Sequence, residues 1–174
     1  MTGSQHASQM TLVLCGARSG KSRHAEALAR LAGLPRRYIA TAQAFDPEMT
    51  ARIARHQTDR GPDWHLVEAP MHLCTALADV PANEVVLIDC ATLWLTNHLL
   101  AGHDLAVETA ALLAALATCQ SPTIIVSNEV GWSIVPDNAL ARTFSDAQGR
   151  LNQALAHQSH RVILVVAGLS ITLK

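Results

Sequence analysis

The stretch MTLVLCGARSGKS, from Met10 to Ser22, constrains the fold of this chain more than any other. An unbroken apolar run, a glycine-bearing loop and a helix start follow in immediate succession, which reads as strand, loop and helix N-terminus. The loop nearly matches the phosphate-binding pattern Gly-x-x-x-x-Gly-Lys-Ser/Thr. Gly20, Lys21 and Ser22 are in place, whereas Cys15 stands where the first glycine belongs, with Gly16 one position later. The chemically demanding positions are the intact ones. Gly20 lets backbone N–H groups approach phosphate oxygens, Lys21 reaches the β- and γ-phosphates, and Ser22 offers a hydroxyl to Mg²⁺. The first glycine mainly eases the turn out of the strand, which a small residue followed by Gly16 can also do. A chance Gly-Lys-Ser at a helix start is the alternative. Against chance stand the strand before it and the helical spacing of Ala25, Leu28, Ala29 and Ala32 after it. Residues Gly16, Ala17, Arg18, Ser19, Gly20, Lys21 and Ser22 are therefore read as the cradle of a nucleoside triphosphate.

Further apolar runs recur along the chain. RRYIATA (36–42), WHLVEA (64–69), EVVLIDC (84–90), TIIVSNE (123–129) and RVILVVAG (161–168) read as strands, with SITLK (170–174) as a short one at the edge. Helices are expected over 21–32, from Asp46 as N-cap and Pro47 to about Asp59, and over 71–80, 91–101, 104–119 and 137–157. Leu112, Leu113 and Leu116 share one helix face, and Leu140, Phe144, Ala147, Leu151 and Leu155 form another stripe. Apolar strands separated by helices argue for a doubly wound α/β fold, a mostly parallel sheet with helices on both faces. Ligands of such sheets sit beyond the carboxyl ends of the strands. No repeat or low-complexity linker divides the chain, so residues 10–174 read as one domain behind a disordered leader, residues 1–9.

Charge excludes one class of partner. A formal charge of −1 removes the simplest electrostatic case for binding nucleic acid. The longest apolar stretch, AALLAALATC, is too short to span a membrane. Cys15, Cys74, Cys90 and Cys119 form no CxxC pair, and read as reduced, mostly buried thiols of a cytoplasmic protein. His6, His24, His65, His72, His98, His103, His157 and His160 have no shared metal-ligand spacing and read as surface or helix-end residues. Trp94 and Trp132 read as core or subunit-contact residues sooner than as stacking platforms.

Two further features carry chemistry. VVLID ends in Asp89, as a strand that delivers a carboxylate to a nucleotide-bound Mg²⁺ would. In the helix after Asp46, residues Arg52, His56 and Arg60 are spaced i, i+4, i+8 and share a face, while Met49 and Ile53 can hold an adjacent face to the body. Two guanidiniums beside an imidazole favour its neutral, nucleophilic form, and they can also grip phosphates. His56 could then attack a nucleotide phosphorus, but a solvated face without special chemistry fits the same spacing. After the fourth long strand, Asn128 and Glu129 stand at its ligand end, either meeting substrate or capping a turn.

The motifs GARSGKSRHAE, YIATA, DPEMTARIARHQTDRG, WHLVEAP, VLIDCATLWLTN, VSNEVGWSIVPDNALARTFSDAQGRLNQALA and VVAGLSITLK occur in order from about Leu12 to Lys174. In this the chain resembles the bifunctional adenosylcobinamide kinase / adenosylcobinamide-phosphate guanylyltransferase family of cobalamin biosynthesis. The resemblance implies a P-loop NTPase-like (RecA-like) α/β fold and two activities. ATP or GTP would phosphorylate adenosylcobinamide. GTP would then guanylylate an enzyme histidine, which passes GMP to adenosylcobinamide phosphate. The histidine of the family motif falls on His56, with Lys21 as the second catalytic residue. Ala40, Thr41, Ala42, Gln57, Thr58, Asp59, Arg60 and Glu68 would line the guanine nucleotide site; Glu68 could accept from the guanine N1–H and N2–H₂ edge. Ser22 and Asp89 would hold Mg²⁺, and the assembly would be a homotrimer. Cys15 departs from the family's usual glycine, and Asp89 from the glutamate of some relatives. The helix between Pro47 and Gly61 is expected to move as a unit over the loop. Two other readings stand beside this one: a P-loop small-molecule kinase without a covalent intermediate, and a nucleotide-dependent binding module. The second of these lacks any switch-like threonine loop.

Overall fold

The computed structural model describes residues 9–44 and 47–174, apart from the side chains of Met49, Arg52, Ile53, His56, Gln57 and Asp59. Residues 1–8 of the expected leader, and Asp46 with its expected cap, lie outside the described residues. Seven strands form one sheet: β1 (Met10–Cys15), β2 (Arg36–Ala40), β3 (Trp64–Glu68), β4 (Val85–Asp89), β5 (Thr123–Asn128), β6 (Arg161–Val166) and β7 (Leu169–Thr172). Their order is β3-β2-β4-β5-β1-β6-β7. All neighbouring pairs are parallel except β6 with β7, which form an antiparallel hairpin.

Strand periodicity sorts the apolar residues onto two faces. Leu12, Leu14, Ile39, Val86, Ile88 and Ile125 point to one side and Val13, Tyr38, Val85, Leu87, Ile124 and Val126 to the other. Continuous apolar runs are what a strand buried on both faces requires. The first face is covered by α3 (Leu73–Ala78), α4 (Ala91–Leu100), α5 (Leu105–Thr118) and α6 (Ala139–Gln158). They contribute Leu73, Trp94, Leu95, Leu112, Leu116, Leu151 and Leu155 to the core. The opposite face receives α1 (Lys21–Leu31) through Ala25 and Ala29, both fully buried. Small residues there let the helix that starts at the glycine loop lie close on the sheet. The remaining helix, α2 (Pro47–Arg60), begins with proline as the sequence requires.

The expected stripes hold, with one end differing. Leu112 and Leu116 are buried, Leu113 packs against them, and Leu151 and Leu155 anchor α6. Leu140, at the start of α6, is instead exposed, together with Trp132, Ile134 and Val135 before it. Trp94 is buried in the core. Among the cysteines all four are free; Cys15, Cys90 and Cys119 are buried and Cys74 is partly so.

Candidate nucleotide site

The glycine loop follows from local backbone demands. Cys15 still belongs to the sheet: it pairs with Asn128, and its carbonyl accepts the Glu129 N–H at 3.2 Å. An extended residue there needs no glycine, so the Cys15 departure leaves the loop geometry untouched. Glycine is demanded at Gly20, whose φ is +94° and where an added Cβ would lie 3.3 Å from the Gly168 Cα. Gly168 belongs to the two-residue turn between β6 and β7. Both Ala167 and Gly168 have positive φ, as a primed hairpin turn requires, and the Gly168 N–H donates to the Ser19 carbonyl at 2.9 Å. The hairpin thus buttresses the loop from below.

Lys21 opens α1 and is buried, with its ammonium donating to the Gly16 carbonyl at 3.3 Å. Among the described residues no carboxylate forms an ion pair with it. A buried ammonium held by one neutral carbonyl is under-compensated, and a phosphate oxygen would supply the missing charge. Ser19 Oγ, also buried in the loop, has no hydrogen-bond partner among the described residues.

At the end of β4, Asp89 Oδ2 accepts the Tyr38 phenol at 3.0 Å. Burial, and next the Asp89 charge, push that phenol far above its ordinary pKa, so it remains a donor. Arg60 stacks on the other side of the ring, its guanidinium carbon 3.3 Å from the centroid. Arg30 holds the last turn of α2 by donating to the Arg60 carbonyl at 2.9 Å. Arg60 Nη1 is buried with no hydrogen-bond partner among the described residues. Ser22 and Asp89 bring a hydroxyl and a supported carboxylate, hard oxygen donors whose chemistry suits Mg²⁺.

Thr41, expected to face nucleotide, is fully buried. Its hydroxyl donates to the Cys90 carbonyl and accepts the Cys90 N–H, each at 2.7 Å, while its carbonyl receives Asn97 Nδ2 at 2.9 Å. Its side chain is thus engaged with the Asp89–Cys90 step. Burial, and next the Asp89 charge, push the Cys90 thiol up to about 11, which leaves it unreactive. Ala40 and Ala42 are half-buried at the end of β2. Glu68 is exposed at the end of edge strand β3, four positions along the sheet from β1. Strand spacing puts those two strands roughly 19 Å apart, so Glu68 and the loop could meet only opposite ends of one bound nucleotide. Thr58 is exposed and turns its hydroxyl back to the Ala54 carbonyl at 3.0 Å. The expected site side chains of Arg52, His56, Gln57 and Asp59 lie outside the described residues.

The end of β5 is shaped by residues that sequence reasoning passed over. Asn152 Nδ2 donates to the Asn128 carbonyl at 3.0 Å and to Glu129 Oε1 at 2.8 Å, and its Oδ1 accepts from Ser127 and Gln148. Asn128 Oδ1 remains buried with no hydrogen-bond partner among the described residues. Gln148 and Asn152 lie one helical turn apart, beside the apolar stripe of α6; two buried amides so placed were the available signal. Tyr38 was hidden within an apolar strand. His98 and His103, read as surface or helix-end residues with no shared metal spacing, do stand at and just past the end of α4, but His98 is buried and their Nδ1 atoms lie 2.9 Å apart.

The family model described as cobinamide kinase / cobinamide phosphate guanyltransferase matches residues 11–173, nearly the whole chain. The chain belongs to this family. Its cobinamide kinase / guanyltransferase relatives include the bifunctional adenosylcobalamin biosynthesis protein CobP of Pseudomonas aeruginosa, 47% identical over 166 residues. That alignment covers 94% of this chain and 96% of the relative. The bifunctional adenosylcobalamin biosynthesis protein CobU of Escherichia coli is 43% identical over 181 aligned positions, covering 95% and 99%. Solved structures agree on the fold, which is P-loop NTPase-like of the RecA kind. The flagellar accessory protein FlaH of Methanocaldococcus jannaschii matches with a TM-score of 0.54 at 11% identity, covering 97% of this chain and 79% of that one. The RadB recombinase matches with a TM-score of 0.50 at 17% identity, covering 91% and 74%. In this member of the cobinamide kinase / guanyltransferase family, the loop cradle, Asp89 and the end of β5 therefore share one sheet edge.

Proposed function

We propose that this chain phosphorylates adenosylcobinamide with ATP or GTP, and that it then transfers GMP from GTP through a guanylated His56 to adenosylcobinamide phosphate, yielding adenosylcobinamide-GDP. The observation that carries the nucleotide chemistry is Lys21: a buried ammonium at a helix start, facing the loop carbonyl of Gly16 and lacking a carboxylate among the described residues. Family membership supplies the substrate class.

In the first reaction the N–H groups of residues 16–22 and the Lys21 ammonium neutralise charge building on the transferred phosphoryl group. The cobinamide hydroxyl gains the P–O bond, its proton leaves to solvent, and nucleoside diphosphate departs. In the second, a neutral His56 nitrogen forms a bond to the α-phosphorus of GTP while the bond to pyrophosphate breaks. A phosphate oxygen of adenosylcobinamide phosphate then attacks that phosphorus, the N–P bond breaks and the imidazole is restored. Mg²⁺ held by Ser22 and Asp89 would neutralise phosphate oxygens and improve the leaving group. Arg52 is the flanking cation proposed to keep His56 unprotonated. Arg60, stacked on Tyr38, anchors the end of the helix. Gln57, Thr58 and Asp59 on that helix, with Ala40, Ala42 and Glu68 at the strand ends, would line the guanine nucleotide.

The same reading includes a cytoplasmic homotrimer, supported by free cysteines and by the exposed Trp132, Ile134, Val135 and Leu140, which a subunit contact would cover. Light scattering on the purified protein checks the trimer. Incubation with α-labelled GTP checks the chemistry. Acid-labile, base-stable label should appear on the wild type, vanish in His56→Ala, and leave on addition of adenosylcobinamide phosphate. A wild-type protein that phosphorylates cobinamide without ever taking label would instead be a kinase without a covalent intermediate.

A further inference from the structure

The histidine pair on the far side of the sheet has a definite structural origin. Helix α4 ends in Ala101, with Gly102 next at φ +73°. The Gly102 N–H returns to the Leu99 carbonyl at 3.1 Å and the His103 N–H to the His98 carbonyl at 3.1 Å. This is the Schellman stop, in which a left-handed glycine folds the residue after it back against the last full turn. The motif ordinarily closes with an apolar contact between those two positions. Here both positions are histidine.

Each neighbouring element then adds a constraint. Asp104 caps α5, accepting the N–H groups of Ala106 and Val107 at 2.9 and 3.3 Å, and this fixes Glu108 in the first turn. Glu108 Oε2 lies 3.6 Å from His98 Nδ1 and Glu108 Oε1 3.7 Å from His103 Nδ1. His98 is clamped from behind, with its ring against Trp94 at 4.7 Å between centroids and its Nε2 facing the Met71 carbonyl at 3.2 Å. A carbonyl can only accept, so the proton of the neutral ring sits on Nε2 and the Nδ1 lone pair points at His103 and Glu108. That outward N–H to a backbone carbonyl is the support a metal-binding histidine normally has.

Three electron-pair donors therefore converge with few protons to share. One ring-to-ring hydrogen bond accounts for the 2.9 Å contact, but the carboxylate stands beyond hydrogen-bond reach of either Nδ1. The separations suit a metal ion better. Zinc bonded to nitrogen and oxygen at about 2.0–2.2 Å in tetrahedral geometry sets its ligand atoms roughly 3.3–3.5 Å apart; here the two nitrogens lie 2.9 Å apart, each has a Glu108 oxygen at 3.6 or 3.7 Å, and one ligand atom from each residue lies within 4.8 Å of the others.

We propose that His98, His103 and Glu108 bind one divalent transition ion of the zinc class, with a fourth position open to solvent beside the half-exposed His103. The ion ties the end of α4 to the start of α5, and through His98 to the Met71 carbonyl it steadies the segment that follows β3. It is independent of the magnesium at Ser22 and Asp89, since two imidazoles favour a softer ion than magnesium takes.

Titration of the metal-stripped full chain with ZnCl₂ against a chromophoric chelator, without nucleotide or corrinoid, tests the site. One equivalent should bind. His103→Ala, a change at a half-exposed turn position that spares the core, should weaken binding by more than about 10-fold, the least an outer-sphere partner is worth. Glu108→Gln should do likewise. Cys74→Ala should leave binding intact; its thiol, raised by burial and next by the Glu108 charge, is a nearby rival ligand. CoCl₂ in place of zinc should give the intense visible bands of a four-coordinate site, lost in His103→Ala. Zinc should also raise Tm in the wild type and not in that variant. Absence of zinc binding by the wild type, equal affinity in His103→Ala, or loss of binding in Cys74→Ala alone would each overturn the assignment.

Discussion

Helices α1 and α2 both follow a parallel strand of the same sheet, yet their described side chains differ in burial. α1 is held along its length: Lys21, Ala25 and Ala29 are buried at successive turns, and Gly20 before it is wedged against Gly168. In α2 the described side chains of residues 47, 48, 50, 51, 54, 55 and 58 are exposed, and only Arg60 is buried. The contrast suits two different tasks. A helix whose first turn cradles phosphate must stay still, because displacement of a positioned charge by about 1 Å can cost 10²-fold in rate. A helix proposed to carry a covalently bound nucleotide between two partners needs one fixed end and one free one. The stack of Arg60 on Tyr38 would serve as the fixed end of a helix so proposed.

The largest effect that can break this contrast is on catalysis. Lys21→Ala should lower both activities by at least about 10²–10³-fold, the scale of losing one preorganised charge partner, in steady-state assays of kinase and guanylyl transfer. If only one activity falls, the two reactions do not share the loop. Stability comes next. Ala29→Gly should cost about 2 kcal/mol, combining helix propensity with a lost buried methyl. Ala54→Gly, on the exposed face of α2, should leave Tm unchanged while speeding amide exchange in α2 about 5-fold, the local equivalent of about 1 kcal/mol. Equal falls in Tm for the two would mean that α2 is bound as firmly as α1. Gly20→Ala should cost about 1–2 kcal/mol for the left-handed backbone, with weaker triphosphate binding measured by calorimetry. The smallest change is Tyr38→Phe, which keeps the ring under Arg60 but removes the bond to Asp89, for about 1 kcal/mol in chemical denaturation.

Much of this fold was legible in the sequence because each local signal agreed with the global design. Strands and helices fall within a few residues of their expected positions, since unbroken apolar runs and Gly or Pro stops mark both ends. Strand order was not legible: which runs become neighbours depends on how helices cross the sheet, and no local pattern states that. Cys15 shows why a motif mismatch can mislead, because the glycine it replaces occupies extended strand, where any residue fits. Spacing put Arg60 on one helix face with His56 and Arg52, but spacing could not say that its guanidinium would lie on Tyr38. For His98 and His103 the missed signal was Gly102. A helix stopped by glycine brings together side chains five positions apart, a spacing that neither helical nor strand periodicity pairs.

The hairpin turn under the glycine loop has a consequence for synthesis. Ser19 emerges from the ribosome well before Gly168, yet each is the other's hydrogen-bond partner. A nascent polypeptide would carry the full cradle motif while lacking the prop that sets its shape. Tight grip on a triphosphate would then begin only once the hairpin has followed, which spares the growing protein from capturing cellular nucleotide before it can use it.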